Sequence, residues 1–191
     1  SRAIVDEKIY DVFVAKLKEE TAKLEIGFAE DNAKVGPVIS AKAESTILNY
    51  INIGKEEGKL LIGGNKVESL DGYYIEPTIF IDIDEKARLA QEEIFGPVLA
   101  VIKAKDYDHA LNIANNTIYG LTGAVYSNNP AKLERAKVEF HCGNLYLNRK
   151  CTGAMVDVHP FGGFNMSGTD SKAGSRDYFM LFLQGKSVAT K

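Results

Sequence analysis

The chain has 191 residues, of which 45% are hydrophobic and 26% charged, the make-up of a soluble globular protein with enough chain for one domain and a proper core. A formal net charge of -3 leaves no basic footprint for nucleic acid or an anionic membrane. No apolar run reaches the length of a membrane span, and Ser1-Arg2-Ala3-Ile4-Val5 is no signal peptide.

In chain order, Arg2-Ala3-Ile4-Val5 is a short strand, and Asp6 is expected to cap a helix running to about Leu24. Ile9, Phe13, Leu17 and Leu24 recur there at helical spacing, with Gly27 near the stop. A loop containing Gly36-Pro37 leads to Ser40, the cap of a second helix with Ala43, Ile47, Tyr50, Ile51 and Gly54 on one face and Gly58 at its end. Residues 59–62 read as a strand closed by Gly63-Gly64, Asp71-Gly72 as a turn, and 73–83 as a strand rich in Tyr, Ile, Thr and Phe. Gly96-Pro97 then breaks the chain ahead of a strand over 98–104. A helix follows at 107–115, with Ala110, Leu111 and Ala114 inward, and a strand at 121–126. Pro130 opens a helix to about Phe140, and 143–147 is the next strand. The tail, 178–189, mixes aromatic and β-branched residues and is expected to end in a strand. Alternating strands and helices with short connections predict an α/β fold: an open, mostly parallel sheet with helices on both faces.

Two stretches carry chemistry. In Gln91-Glu92-Glu93-Ile94-Phe95-Gly96-Pro97, Glu93 and Phe95 are two apart, so an extended backbone points both to one side. A carboxylate beside an aromatic face suits a sugar ring, because the acid accepts from two hydroxyls while the ring covers the apolar side. The alternative is a helix-end acid pair with a packed Phe, and the pattern alone favours it. The second stretch is the irregular segment 148–175, long enough to suggest function and placed after a strand end, where open α/β sheets hold ligands. Cys151-Thr152-Gly153-Ala154 offers consecutive N–H groups for an anion, and Pro160-Phe161-Gly162-Gly163-Phe164 offers an aromatic wall. A Gly-rich surface loop pinned by Phe161 and Phe164 fits these residues equally well.

The Glu-Ile-Phe-Gly-Pro segment resembles a motif of the NAD(P)-dependent aldehyde dehydrogenases. The resemblance extends through Gly36-Pro37-Val38-Ile39, Asn115-Asn116-Thr117 and Tyr119-Gly120-Leu121-Thr122-Gly123, from Ser1 nearly to Lys191. Asn148, Cys151-Thr152-Gly153-Ala154 and the run from Pro160 to Lys172 look like the branch acting on 1-pyrroline-5-carboxylate, the cyclic form of L-glutamate γ-semialdehyde. The resemblance implies that Glu93 binds the nicotinamide ribose with Phe95 beside it, that Gly153 and Ala154 amides hold the substrate α-carboxylate, and that Phe161 lines the aliphatic chain. It implies NAD as cofactor, with NADP open because the adenosine end would fall on another domain. It also implies an aldehyde substrate, a role in proline degradation, and a homo-oligomer formed through residues 178–191. Departures from the pattern are Asp157, His159 and Cys142; an inward acid at Asp157 would repel a carboxylate, so it is expected to face outward.

The family's nucleophilic cysteine and general-base glutamate would lie before Ser1, as would the dinucleotide domain. The chain is therefore expected to be an excised catalytic domain, inactive alone. Two cysteines, Cys142 and Cys151, point to a reducing compartment, cytoplasmic or the mitochondrial matrix of a eukaryote. One rival is a thiol hydrolase built from Cys151, His159 and Asp157. Another is a non-catalytic module that self-associates through an exposed strand edge at 179–188. Gly163 to Gly168 has phosphate-loop spacing, but Thr169-Asp170 follows where Lys-Ser/Thr is needed. His109, His141 and His159 have no metal-ligand spacing with the cysteines, so no metal site is expected.

Overall fold

Strand β4 (Val98–Ala104) explains most of the first half of the chain. Its apolar residues alternate in destination: Val98, Ala100, Ile102 and Ala104 enter one core cluster, whereas Val101, with Leu99 packed alongside, enters another. A strand apolar on both sides must be covered on both faces. Helix α2 (Ala41–Glu57) covers the first face with Ile47 and Ile51, and helix α1 (Tyr10–Ala22) covers the second with Tyr10, Phe13 and Leu17. Fully buried Ile47, Ile51 and Phe80 contribute about 1.5–3 kcal/mol each.

The computed structural model describes residues 1–168 and 172–191, in two compact units, Ser1–Ile113 and Ala114–Lys191. Length and composition led to one domain, but the strands divide into two separate sheets. In the first unit, β1 (Arg2–Asp6), β2 (Lys59–Ile62), β3 (Thr78–Ile81) and β4 take the order β1-β4-β3-β2. Both β1 and β3 run parallel to β4, while β2 is antiparallel to β3 with an irregularity between Leu60 and Ile62. Short helix α3 (Arg88–Gln91) precedes β4, and α4 (Tyr107–Asn115) follows it, burying Leu111 and Ile113. In the second unit, β5 (Thr122–Val125) and β6 (Asn144–Leu147) form a parallel pair joined through α5 (Pro130–Glu139).

Local chemistry sets the boundaries. The Ser40 hydroxyl accepts from Ala43 N–H at 3.2 Å, and Asn129 caps α5, where Pro130 loses no needed donor. Asp6 is not a helix cap: its Oδ1 accepts from Lys8 N–H in a turn, so α1 starts later, at Tyr10. That shift buries Tyr10 in place of Ile9, and the Tyr10 hydroxyl accepts from Asp82 N–H at 2.9 Å. The expected strand over 73–83 shrinks to Thr78–Ile81, because Pro77 has no N–H to donate and Ile75 makes only an isolated bridge to Lys66. The tail forms a 3-10 turn at Arg176–Phe182 and then runs unpaired and exposed to Lys191. The strand expected there has no ladder partner among the described residues.

Candidate functional site

The Glu-Glu-Ile-Phe segment leaves α3 with its two acids in different roles. Glu92 receives a bidentate pair from Arg88, Nε to Oε1 at 2.9 Å and Nη2 to Oε2 at 3.0 Å, and the Tyr50 hydroxyl donates to Oε2 at 2.6 Å. The Arg88 guanidinium and then the Tyr50 hydroxyl hold the Glu92 carboxyl down at about 2. Glu92 thus ties the segment to α2. Glu93 is exposed, and its carboxylate takes no hydrogen bond or ion pair among the described residues.

Ile94 drops into the core, and Gly96 lies so close to Ile47 that a Cβ would sit 2.6 Å from its side chain. With Ile94 and Gly96 fixed inward, Glu93 and Phe95 both face out, as their spacing predicts, although the backbone is not extended throughout. Phe95 has φ 56° and is 82% exposed. The other non-glycine residues at positive φ are all Asn or Asp, which tolerate that region through local hydrogen bonding. A phenylalanine held there, with its ring in solvent, gains nothing from the core. The alternative of a packed Phe fails on this exposure. The Glu93 carboxylate and the Phe95 ring are thus both exposed, on either side of the buried Ile94.

In the second unit, residues 148–168 and 172–175 are largely irregular but heavily tied down. Asn144 Nδ2 donates to Pro160 O at 2.9 Å and its Oδ1 accepts from Gly162 N–H at 3.1 Å. Lys172 Nζ donates to Gly143 O at 2.7 Å and also to Gly162 O. Asn148, at φ 53°, brackets Ser127 by donating to its carbonyl and accepting from its N–H. The Ser167 hydroxyl accepts from Gly120 N–H, and Phe164 packs edge-on against His141. Thr169, Asp170 and Ser171, part of the motif run, lie outside the described residues.

The loop borders an open cavity of about 670 Å³. Gly153, Ala154 and Phe161 all line it, so the structure brings the three expected substrate residues together. Gly153 has φ 83°, a left-handed conformation that favours glycine. Leu121, Met155 and Val156 add apolar wall. Asp157 is absent from the lining; it is exposed and pairs with Arg176 at 3.5 Å, the outward position its charge requires. Tyr146 was read from sequence only as a strand residue, yet it lines the cavity too. The signal lay in the alternation Asn144-Leu145-Tyr146-Leu147-Asn148, which puts every polar residue on one face of the strand.

Cys151 and His159 border the same cavity, but the hydrolase arrangement is missing. His159 Nδ1 accepts from Met155 N–H at 3.1 Å, which leaves the proton of the neutral ring on Nε2. A triad histidine needs one ring nitrogen held by an orienting side chain and the other bare and facing the thiol, but here the accepting nitrogen is taken by a backbone N–H. Asp157 is engaged by Arg176 instead. Cys142 is buried, and that burial pushes its thiol up to about 11. Among the described residues, no group of three or more His, Cys, Asp or Glu is placed to hold a metal ion.

Residues 1–188 match the family model described as the aldehyde dehydrogenase family. The chain belongs to the aldehyde dehydrogenase family. Among curated aldehyde dehydrogenases, it is 57% identical over 190 residues to a 1-pyrroline-5-carboxylate dehydrogenase of Anoxybacillus flavithermus and 56% identical to that of Bacillus subtilis. Each comparison covers 99% of this chain and 37% of the relative, so the chain spans little over a third of those proteins. A solved 1-pyrroline-5-carboxylate dehydrogenase from Thermus, with bound NAD, superposes with a TM-score of 0.94 at 52% identity. That superposition covers 96% of this chain and 36% of the Thermus chain. These neighbours are α/β aldehyde dehydrogenases, in line with the mixed, mostly parallel sheet described above.

Proposed function

We propose that this chain is the substrate-anchoring portion of an NAD-dependent dehydrogenase that oxidises L-glutamate γ-semialdehyde to glutamate in proline degradation. The observation that carries the reading is the gathering of Gly153, Ala154 and Phe161 around one cavity in a chain 57% identical to a 1-pyrroline-5-carboxylate dehydrogenase. In this reading the Gly153 and Ala154 amides bind the α-carboxylate, and Phe161 packs on the methylene chain and keeps water from it. The solvent-facing Glu93 carboxylate accepts from the two hydroxyls of the nicotinamide ribose, and the Phe95 ring covers the sugar's apolar side. NAD, when bound, supplies the hydride acceptor. The NAD-bound Thermus relative supports NAD over NADP.

The nucleophile comes from outside these residues, since Cys142 is a buried, protonated thiol and Cys151 has no base. The 191-residue polypeptide alone therefore has no dehydrogenase activity. Two unpaired cysteines support a reducing compartment, the cytoplasm or a mitochondrial matrix. The exposed apolar run Phe179-Met180-Leu181-Phe182-Leu183 supports assembly with further copies through this segment. The anchor is tested by Ala154→Pro in a protein of the relatives' full length that carries this chain. Removing that N–H is expected to erode the preference for the carboxylate-bearing aldehyde about tenfold or more. An unchanged preference refutes the anchor.

A further inference from the structure

Among the described residues of the loop, 148–168 and 172–175, Gly163 alone is buried, so no apolar core fixes the cavity wall that the loop provides. Polar ties hold it instead. Phe161 and Ala173 exchange both backbone hydrogen bonds, at 2.9 and 2.8 Å, and Asp157 N–H donates to Gly174 O at 2.6 Å. Residues 173–174 thus strap both ends of the segment 157–161, and they line the cavity beside Phe161. The side chain just before this strap fastens it to β6. Lys172 Nζ donates to Gly143 O, next to β6, at 2.7 Å and to Gly162 O, next to Phe161. The same ammonium lies 5.4 Å from the Phe164 ring. Asn144 also ties Pro160 and Gly162 to β6, but only through neutral hydrogen bonds.

Two carbonyl oxygens turned towards one point repel each other unless a cation lies between them. Hydrogen bonds from an ammonium to such oxygens are about twice as strong as neutral ones. A side chain without donors would leave both carbonyls short of a partner. Nζ therefore joins β6, the Phe161 wall and the strap at one point, although Gly143 and Gly162 are 29 and 10 residues away in sequence. Lys172 itself is absent from the cavity lining. We propose that Lys172 is a positioning residue for the substrate: its ammonium sets where the Phe161 wall stands and so how the methylene chain fits, without touching the aldehyde. This rests on the glutamate-semialdehyde reading and adds to it a residue that acts through Phe161.

The test is Lys172→Met in a protein of the relatives' full length carrying this chain, assayed with glutamate semialdehyde and with acetaldehyde, which has no methylene chain for Phe161 to pack on. The ratio of kcat/KM between the two is expected to fall about tenfold. A variant that only loses stability leaves less folded enzyme for both aldehydes alike and keeps the ratio. Lys172→Gln retains donors but not the charge, and is expected to lower the ratio about threefold. Where the methionine variant does not fold, the glutamine variant decides. An unchanged ratio in the folded variants overturns the proposal, whether or not the melting temperature falls, and leaves the parent reading intact. If the unsubstituted protein does not prefer glutamate semialdehyde to acetaldehyde, the parent reading fails and this role fails with it.

Discussion

Phe95 holds a bulky side chain in the left-handed region, at a cost of about 1–2 kcal/mol, while its ring stays in solvent. Phe95→Asn tests whether that strain serves binding. The fold is expected to keep or gain stability, since Asn tolerates positive φ and no packing is lost, while KM for NAD rises. A marked fall in melting temperature would mean that the ring supports the fold. Gly153 separates the same two roles in the loop. At φ 83°, with only Arg149 Nη2 in ordinary contact with a would-be Cβ at 3.9 Å, Gly153→Ala should cost about 1 kcal/mol from backbone strain. Weaker binding of the carboxylate should accompany it, read as a higher KM for glutamate semialdehyde. The cysteines make a third contrast. Iodoacetamide near pH 8 should label exposed Cys151 and spare Cys142, whose thiol burial pushes up to about 11. Rapid labelling of Cys142 would mean that the second unit opens. Glu92 adds a pH dependence with a definite sign. Its folded carboxyl sits at about 2 against an ordinary 4.5, so the Arg88 and Tyr50 contacts stabilise the fold fully above 4.5 and fade as pH falls towards 2. Glu92→Gln should flatten melting temperature against pH in that acid window and change little near neutrality.

At the scale of elements, β6 and the loop after it act as one piece. Gly143 approaches Gly162 so closely that a Cβ would lie 1.8 Å from its carbonyl oxygen. Gly143→Ala is therefore expected to cost about 1–3 kcal/mol and loosen the loop, read as faster proteolysis within residues 148–175. Unchanged proteolysis would mean that the loop is braced elsewhere. Hydrophobic period made β4 and α2 legible from sequence, because a strand apolar on both faces and a helix with Ser40 and Gly58 at its ends leave few alternatives. Asp6 misled, since a short acid can cap a turn as readily as a helix, whereas the tail has strand composition but no ladder partner among the described residues. Gly153, Ala154 and Phe161 line one cavity, as residues close together in a single loop can, whereas their roles come from the family resemblance. The alternation in β6 placed Tyr146 on its polar face, but that its hydroxyl would lack a partner there shows only once packing has removed its water. Lys172 was likewise invisible, because its two carbonyl partners meet only when the loop folds back.

For the whole molecule, the division into two units and the 37% share of the relatives' length bear on what can be measured. The exposed aromatic and aliphatic side chains from Phe179 to Leu183 predict concentration-dependent association in sedimentation, abolished in a Phe179→Asp, Phe182→Asp double variant. A strictly monomeric chain at high concentration would remove the assembly proposal without touching family membership. Carboxylate recognition is the more central matter, since the proposed role of Gly153, Ala154 and Phe161 depends on it. The most direct measurement is NADH formation by a protein of the relatives' full length carrying this chain, with glutamate semialdehyde compared against pentanal. The account predicts that kcat/KM favours glutamate semialdehyde by about a hundredfold or more, because a site lined with donors for a carboxylate strongly rejects an analogue without one. Equal values for the two aldehydes would contradict it.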